Sequence, residues 1–170
     1  LALDLAEAFD GVVINADSMQ VYKELRVLSA RPDDSEIARA PHRLYGVLSG
    51  REACSAGKWR EMAMAEIADC HASGKLPIIT GGTGMYLNAL TEGIAPIPDI
   101  PARIRDQVTN ELEELGHAAF FAKLQADDPE TAANLDGSNT QRLIRAAEVF
   151  AHTGRGLASW HKEPVITPPG

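Results

Sequence analysis

The chain has 170 residues, 45% of them hydrophobic and 24% charged, which suits one domain or one domain with an insertion. Its formal net charge of −8 does not indicate nucleic-acid binding, which needs clustered Lys and Arg, although a local basic face is still allowed. Two cysteines, Cys54 and Cys70, are too few for a disulfide framework, and no apolar run is long enough to span a bilayer. We therefore expect a cytoplasmic protein with reduced thiols and no membrane part.

The first half of the chain alternates helical and strand patterns. A helical face from Leu1 to Phe9 is followed by a strand at 12–16, a short helix from about Ser18 and a loop at 31–35. A further strand at 42–48 is indicated only by a weak alternation. The clearest helix spans 55–73, and strand 76–80 and helix 83–91 form a second strand-turn-helix unit. This alternation predicts a parallel α/β sheet flanked by helices.

Composition changes at residues 93–101, where three prolines fall within six residues. Proline fits neither a helix interior nor a central strand, so 94–101 is predicted to be a hinge. Beyond it the pattern is entirely helical, with helices expected at 101–115, 117–126, 129–134 and 139–153. The predicted domains are an α/β body at 1–93, the hinge at 94–101, a helical module at 102–162 and a linker at 163–170.

Polar residues follow the two best-defined strands at the point where each strand ends. Asp17 comes directly after the first strand, and Gly81-Gly82-Thr83-Gly84 follows the second. Because ligands of an open parallel sheet bind outside the carboxyl ends of its strands, Asp17 and Thr83 are expected at one edge. Asp17 suits a general base, and it suits a helix N-cap paired with Gln20 equally well. The glycine run suits either an anion site or a tight turn with Thr83 as cap. It is not a Walker A loop, since no Lys follows.

A local basic face is predicted on the helix at 139–153. Gln141, Arg145, Glu148 and His152 share one side of it, and Arg142 is adjacent. Between Asn139 and Gly156 there are three arginines, Arg142, Arg145 and Arg155, and one acid, Glu148, which gives a local basic face in an acidic chain. Taken alone, this pattern favours a solvated helix face. The histidines show no pairing with His or Cys at metal-ligand spacing, and no metal ligand is identified.

Four motifs together resemble the tRNA dimethylallyltransferase family, also called tRNA isopentenyltransferases, and the resemblance covers essentially the whole chain. In order they are DSMQVY at 17–22, APHRL at 40–44, GGTGMY at 81–86 and QRLIRA at 141–146, the last followed by Glu148-Val149. The resemblance implies a P-loop-kinase-like α/β fold of the nucleotide-binding kind, with a small helical insertion that grips the anticodon stem-loop of tRNA. It also implies transfer of a dimethylallyl group from dimethylallyl diphosphate to N6 of the adenosine on the 3′ side of the anticodon.

The same resemblance implies roles for particular residues. Asp17 is the general base and Thr83 lies near the transferring group, so both are expected to be catalytic. Gly81 and Gly82 are expected to contact the diphosphate, and Mg²⁺ to accompany it. The residues expected to contact tRNA are Asp17, Ser18, Met19, Gln20, Thr83, Arg105, Gln141, Arg142, Leu143, Ile144 and Arg145. A monomer is expected.

The chain departs from the family pattern at both ends. The family's P-loop, with Lys followed by Ser or Thr, would stand just before Leu1, and a C-terminal part with a further diphosphate-binding arginine would follow Gly170. These 170 residues are therefore expected to be an incomplete chain that is not catalytically competent alone.

Three other functions stay open from the sequence. An isopentenyltransferase acting on free adenine nucleotides would not need the helical module with Arg142 and Arg145. A P-loop nucleotide kinase would need a phosphate-acceptor site in place of Asp17 and Thr83. A non-catalytic RNA-binding fragment would need only the basic face.

Overall fold

A computed structural model describes residues 1–165, and these form two compact units. The first unit is Leu1–Ile94, and the second begins at Ala95. The residues at 95–100, within the predicted hinge, adopt no helix or strand. The hinge, the helical module as a functional domain and the linker at 163–170 stay predictions, and most of that linker lies outside the described residues.

The first unit is built on a parallel sheet of three strands. Strand β1 (Gly11–Asn15) is central and pairs in parallel with β2 (His42–Arg43) on one side and β3 (Leu76–Thr80) on the other. All five residues of β1 are buried. Alternate side chains of a strand face opposite ways, so Val12 and Ile14 join one hydrophobic cluster and Val13 joins another. The sheet is thus covered on both faces, and the predicted parallel α/β sheet is confirmed.

Four helices accompany this sheet: α1 (Ala2–Ala8), α2 (Asp34–Arg39), α3 (Ala56–Ala72) and α4 (Gly84–Thr91). Helix α3 is the longest, and the Ser55 hydroxyl caps it by accepting a hydrogen bond from the Lys58 amide at 3.1 Å. It packs against β3 and α4, and α1 packs against β1 and β3. No helix of residues 1–165 is long and apolar enough to cross a bilayer.

Three predicted elements of this unit differ from the structure. The expected helix from Ser18 is a turn followed by a single 3₁₀ turn at Lys23–Leu25. The expected strand at 42–48 ends after two residues, because Leu44 and Gly46 both adopt positive φ angles that leave the extended region. The expected loop at 31–35 gives way to α2, whose cap, Asp33, forms a complete capping box with Glu36.

Among its described residues, 95–165, the second unit contains helices and no strand. Its helices are α5 (Ala102–Leu115), α6 (His117–Asp127), α7 (Pro129–Ala133), α8 (Thr140–Thr153) and α9 (Leu157–Trp160). Their shared core contains Val108 of α5, Phe120 and Leu124 of α6, and Leu143 of α8. The predicted helices are confirmed within one or two residues, whereas α9 was not predicted. It is fixed by the Asp128 carboxylate, which accepts from the Leu157 amide, and by Arg155 over the Trp160 ring.

Candidate functional site

The carboxyl ends of β1 and β3 continue as two polar loops that are hydrogen-bonded to each other. The Ala16 amide donates to the Thr80 carbonyl at 2.7 Å, and the Thr83 amide donates to the Ala16 carbonyl at 3.1 Å. The Thr83 hydroxyl then accepts from the Ser18 amide at 2.8 Å. Asp17 and Thr83 are therefore neighbours at one edge of the sheet.

Asp17 uses one carboxylate oxygen to hold its own turn. Its Oδ1 accepts from the Met19 amide at 2.8 Å and from the Gln20 amide at 3.3 Å. Oδ2 makes no hydrogen bond with residues 1–165, and it points toward Gly82, where an added Cβ would lie 3.6 Å away. The predicted helix N-cap with a Gln20 capping box is wrong, because no helix begins at Ser18 and the Gln20 side chain donates to the Ser29 carbonyl instead. One oxygen of Asp17 therefore orders the loop, and the other makes no bond within residues 1–165.

Asn15, which sequence reasoning did not single out, holds the Asp17 backbone from both sides. Its Oδ1 accepts from the Asp17 amide at 2.9 Å, while its Nδ2 donates to the Asp17 carbonyl at 3.0 Å and to the Leu44 carbonyl at 3.1 Å. Asn15 is fully buried, so these bonds replace its lost contact with water. The sequence offered one signal of this role, namely a polar residue at the end of an otherwise apolar strand.

The aromatic pair behind the sheet supports the same loop. The indole Nε1 of Trp59 donates to the Asn15 carbonyl at 2.8 Å. The Trp59 ring stacks on Tyr86, with ring centroids 4.6 Å apart and planes 8° from parallel. Tyr86 lies in α4, so this pair ties α3 to the helix that follows the glycine loop.

The glycine loop approaches β1 too closely for a larger residue at its first position. A Cβ at Gly81 would lie 2.2 Å from the Ala16 carbonyl carbon, which real Cβ atoms do not tolerate. Gly82 is exposed beside Asp17, and nothing lies within 4 Å of a Cβ at Gly84. Thr83 does not cap α4, because its hydroxyl is already bonded to Ser18. The predicted role of Thr83 as a cap is therefore wrong, and α4 begins without a side-chain cap.

The negative charge of Asp17 contributes to a raised pKa of the Tyr45 hydroxyl. Burial, together with the negative charges of Asp17 and Glu36, raises the pKa of Tyr45 to about 12. The Tyr45 hydroxyl is therefore neutral at physiological pH and stays available as a hydrogen-bond donor.

A second group of polar side chains lies on α5 and α8 of the helical unit. Glu148 accepts from Arg145 at 2.7 Å through Oε1 and from Arg105 at 3.4 Å through Oε2. Arg105 also donates to the Gln141 side-chain oxygen at 3.3 Å. We call these four residues the arginine cluster. Arg142, one residue along, makes no side-chain hydrogen bond or ion pair with residues 1–165.

Not all of residues 141–145 reach the surface. Leu143 is fully buried and Ile144 is nearly so, and both pack into the core of the helical unit. Their side chains therefore anchor the segment, and its exposed side chains are those of Gln141 and the two arginines. Glu148 was expected on the solvated side of α8, but it is only 2% exposed. The two arginines that it binds account for its burial.

Within residues 1–165, no three His, Cys, Asp or Glu side chains are grouped as metal ligands would be. Among the candidate site residues, Asp17 supplies a carboxylate and Thr83 a nearby hydroxyl. Two side chains are fewer ligands than a cation site formed by protein alone needs.

Comparison with known proteins identifies the family. The model of the family described as IPP transferase matches residues 20–169. The chain belongs to the IPP transferase family. Its relatives include the tRNA dimethylallyltransferases of Paramagnetospirillum magneticum, 54% identical over 96% of this chain, and of Rhodospirillum rubrum, 51% identical over 99%. The chain spans 52% of each, about half the length of these IPP transferase relatives.

Solved structures agree with this assignment. A eukaryotic dimethylallyltransferase acting on tRNA matches with a TM-score of 0.81 and 27% identity, over 98% of this chain and 42% of that one. The tRNA isopentenylpyrophosphate transferase of Bacillus halodurans matches with a TM-score of 0.54 and 32% identity, over 90% and 51%. The predicted P-loop-kinase-like fold class and the predicted family are thus confirmed for this IPP transferase chain.

Proposed function

We propose that the full-length protein transfers a dimethylallyl group from dimethylallyl diphosphate to N6 of the adenosine adjacent to the anticodon of tRNA, on its 3′ side. The product is N6-isopentenyladenosine. The observation that carries the proposal is the hydrogen bond from the Ser18 amide to the Thr83 hydroxyl, which holds Asp17 and Thr83 close together at the strand ends. The names of the relatives, tRNA dimethylallyltransferases, support the same reaction.

The proposed chemistry exchanges one bond for another. The bond between the allylic carbon and the diphosphate oxygen breaks, and its electron pair leaves with the pyrophosphate. The bond between that carbon and N6 forms, and Oδ2 of Asp17 takes the proton that N6 loses. Oδ1 is held by the Met19 and Gln20 amides, so the base is kept oriented while its second oxygen stays accessible.

The leaving pyrophosphate needs donors at the same edge. Gly81 and Gly82 are exposed, and α4 begins without a side-chain cap, so main-chain N–H groups there are available to an anion. We propose that they contribute to the diphosphate site beside the family's P-loop. Mg²⁺ enters the proposal as the counter-ion of the diphosphate, because Asp17 and Thr83 do not suffice as a protein-only site.

We propose that Arg105, Gln141, Arg142 and Arg145 contact the anticodon stem-loop, together with residues 17–20 and Thr83. Guanidiniums pair with phosphates and stack on unpaired bases, as a single-stranded loop requires. The target adenine must leave its stack to reach Asp17, and a loop permits this at modest cost. We propose that the protein acts in the cytoplasm, where unmodified tRNA is found. We also propose that it acts as a monomer.

Incubating the full-length protein with labelled dimethylallyl diphosphate and unmodified tRNA tests the proposal. Label should appear in tRNA, at the adenosine beside the anticodon. Label in free adenine nucleotides instead would point to the nucleotide isopentenyltransferase, and phosphoryl transfer from ATP to a nucleotide would point to a kinase. Binding of tRNA without any transfer would leave an RNA-binding protein. Each of these three outcomes contradicts the proposal.

A further inference from the structure

We infer that Glu148 is a positioning residue for RNA recognition, and this inference depends on the proposed function in tRNA modification. Glu148 is 2% exposed, yet it is charged, and its two carboxylate oxygens bind two different guanidiniums. Arg145 comes from the same helix, α8, and Arg105 comes from α5. One buried carboxylate therefore sets the direction of both arginines.

Within residues 1–165, the other N–H groups of these two guanidiniums make no hydrogen bond. Arginine carries five N–H donors in a rigid plane. Arg145 spends one nitrogen on Glu148, and Arg105 spends one on Glu148 and one on Gln141. Their side chains remain 43% and 51% exposed. Each guanidinium is thus held by Glu148 and presents its remaining donors to solvent. Its orientation is therefore fixed before a phosphate binds, which lowers the entropy cost of binding.

Fold stability alone does not account for the cluster. Burying a carboxylate costs solvation, and replacing buried ion pairs by well-packed apolar residues is commonly neutral or stabilising. The core of this unit already holds α5 and α8 together through Val108 and Leu143. What the carboxylate adds is a fixed orientation for two long, flexible side chains that lie at the surface.

Two roles for Glu148 predict opposite effects on RNA binding. If Glu148 only neutralises positive charge, removing its charge makes the face more basic, and tRNA should bind more tightly with a steeper salt dependence. If Glu148 positions Arg105 and Arg145, removing its charge releases them. Binding should then weaken and its salt dependence should become shallower, because fewer phosphates are contacted.

The test measures tRNA binding across a salt series with the full-length protein and its Glu148→Gln variant. We expect about tenfold weaker tRNA binding and a shallower salt slope. Adding Arg145→Ala to Glu148→Gln should cost less than the sum of the two single changes, whereas adding Arg142→Ala should be additive. Glu111→Gln is the matched control, since Glu111 is an acid of α5 that pairs with Lys123.

Unchanged or tighter binding by a folded Glu148→Gln variant overturns the inference. If that variant fails to fold, Glu148→Asp keeps the charge and withdraws it by one methylene. The same loss of affinity is expected, and wild-type affinity would equally overturn the inference. Failure of the proposed function looks different, because the unaltered protein itself would then transfer no dimethylallyl group to tRNA.

Discussion

The hydroxyl oxygen of Thr83 accepts the main-chain N–H of Ser18 at 2.8 Å, across 65 residues of sequence. This bond is the side-chain link between the loop that carries Asp17 and the loop that carries the glycines. It also uses the hydroxyl that would otherwise cap α4. Thr83 thus sets the spacing between the proposed base and the proposed diphosphate site.

Thr83→Val should uncouple the two loops. Valine keeps the shape of threonine but cannot accept from Ser18, so a partly buried donor is left unpaired at a cost of about 1 kcal/mol in stability. Turnover should fall further than the loss of stability explains, because the loop that carries Asp17 is no longer held in position against the glycine loop. Thermal unfolding and turnover measured on the same preparation check this. Thr83→Ser keeps the acceptor and should be close to wild type in both, and an equally impaired serine variant would contradict the coupling.

Asp17→Asn should separate the two jobs of the carboxylate. The amide oxygen can still accept from Met19 and Gln20, so the turn is kept, but the proton acceptor is lost. Turnover should drop roughly 10²–10⁴-fold, the usual range for a general base. The affinity for tRNA should change little. Single-turnover rates and tRNA binding distinguish these effects, and near-normal turnover would reduce Asp17 to a loop-ordering residue.

Gly81→Ala should damage the fold of the strand ends. Its Cβ would lie 2.2 Å from the Ala16 carbonyl carbon, and relieving such a contact costs about 1–3 kcal/mol or more. Gly84→Ala is the matched control in the same loop, because nothing lies within 4 Å of its added Cβ and α4 begins there. Alanine in that helix should be neutral or slightly stabilising. Equal unfolding temperatures for the two variants would show that the loop can move away from Ala16.

Arg142→Ala should weaken tRNA binding evenly and lower the salt slope by about one, as expected for one lost phosphate contact. The guanidinium makes no ion pair with residues 1–165, so its loss should leave stability unchanged. Arg142→Lys keeps the charge and should retain the slope. Identical slopes for the alanine variant and the unaltered protein would show that Arg142 faces solvent only.

Tyr45 should make stability sensitive to alkaline pH. Its folded-state pKa is raised to about 12 by burial and by nearby acids, above the ordinary value of about 10. A raised pKa means that the folded state favours neutral Tyr45, a contribution fully present below pH 10 and lost as pH rises toward 12. Denaturant unfolding between these limits should therefore show a smaller loss of stability for Tyr45→Phe than for the unaltered chain. Parallel pH profiles would contradict this.

The sequence predicted the elements whose signals are local. The β-branched run before Asp17 and the glycine run at the start of α4 each indicate the end of a strand. Because the two strands are parallel, their carboxyl ends lie at the same edge of the sheet. Helix α2 was missed although Asp33 and Glu36 carry a capping-box spacing, because the preceding Arg31-Pro32 favoured a loop. The strand at 42–48 was overextended, since a positive φ at Leu44 cannot be read from a leucine.

Residues whose roles depend on distant partners were harder to find. Asn15 also bonds to the Leu44 carbonyl and Glu148 to Arg105 of α5, and nothing in the sequence near Asn15 or Glu148 identifies these distant partners. The same limit applies to Ile144, which lies between exposed residues of the predicted RNA-binding segment but packs inward. Periodicity assigns a helix face, and only the packing shows which edge of that face is covered.

Each compact unit carries one of the chain's two tryptophans. Trp59 is fully buried against Tyr86 and bonded to Asn15, whereas Trp160 lies under the Arg155 guanidinium in the helical unit. The intrinsic tryptophan fluorescence of the protein therefore combines one contribution from each unit. With Trp160→Phe, emission follows the strand-end loops alone, and with Trp59→Phe it follows the helical unit alone. Whether the two halves unfold as one cooperative system or as two can thus be observed without any added label.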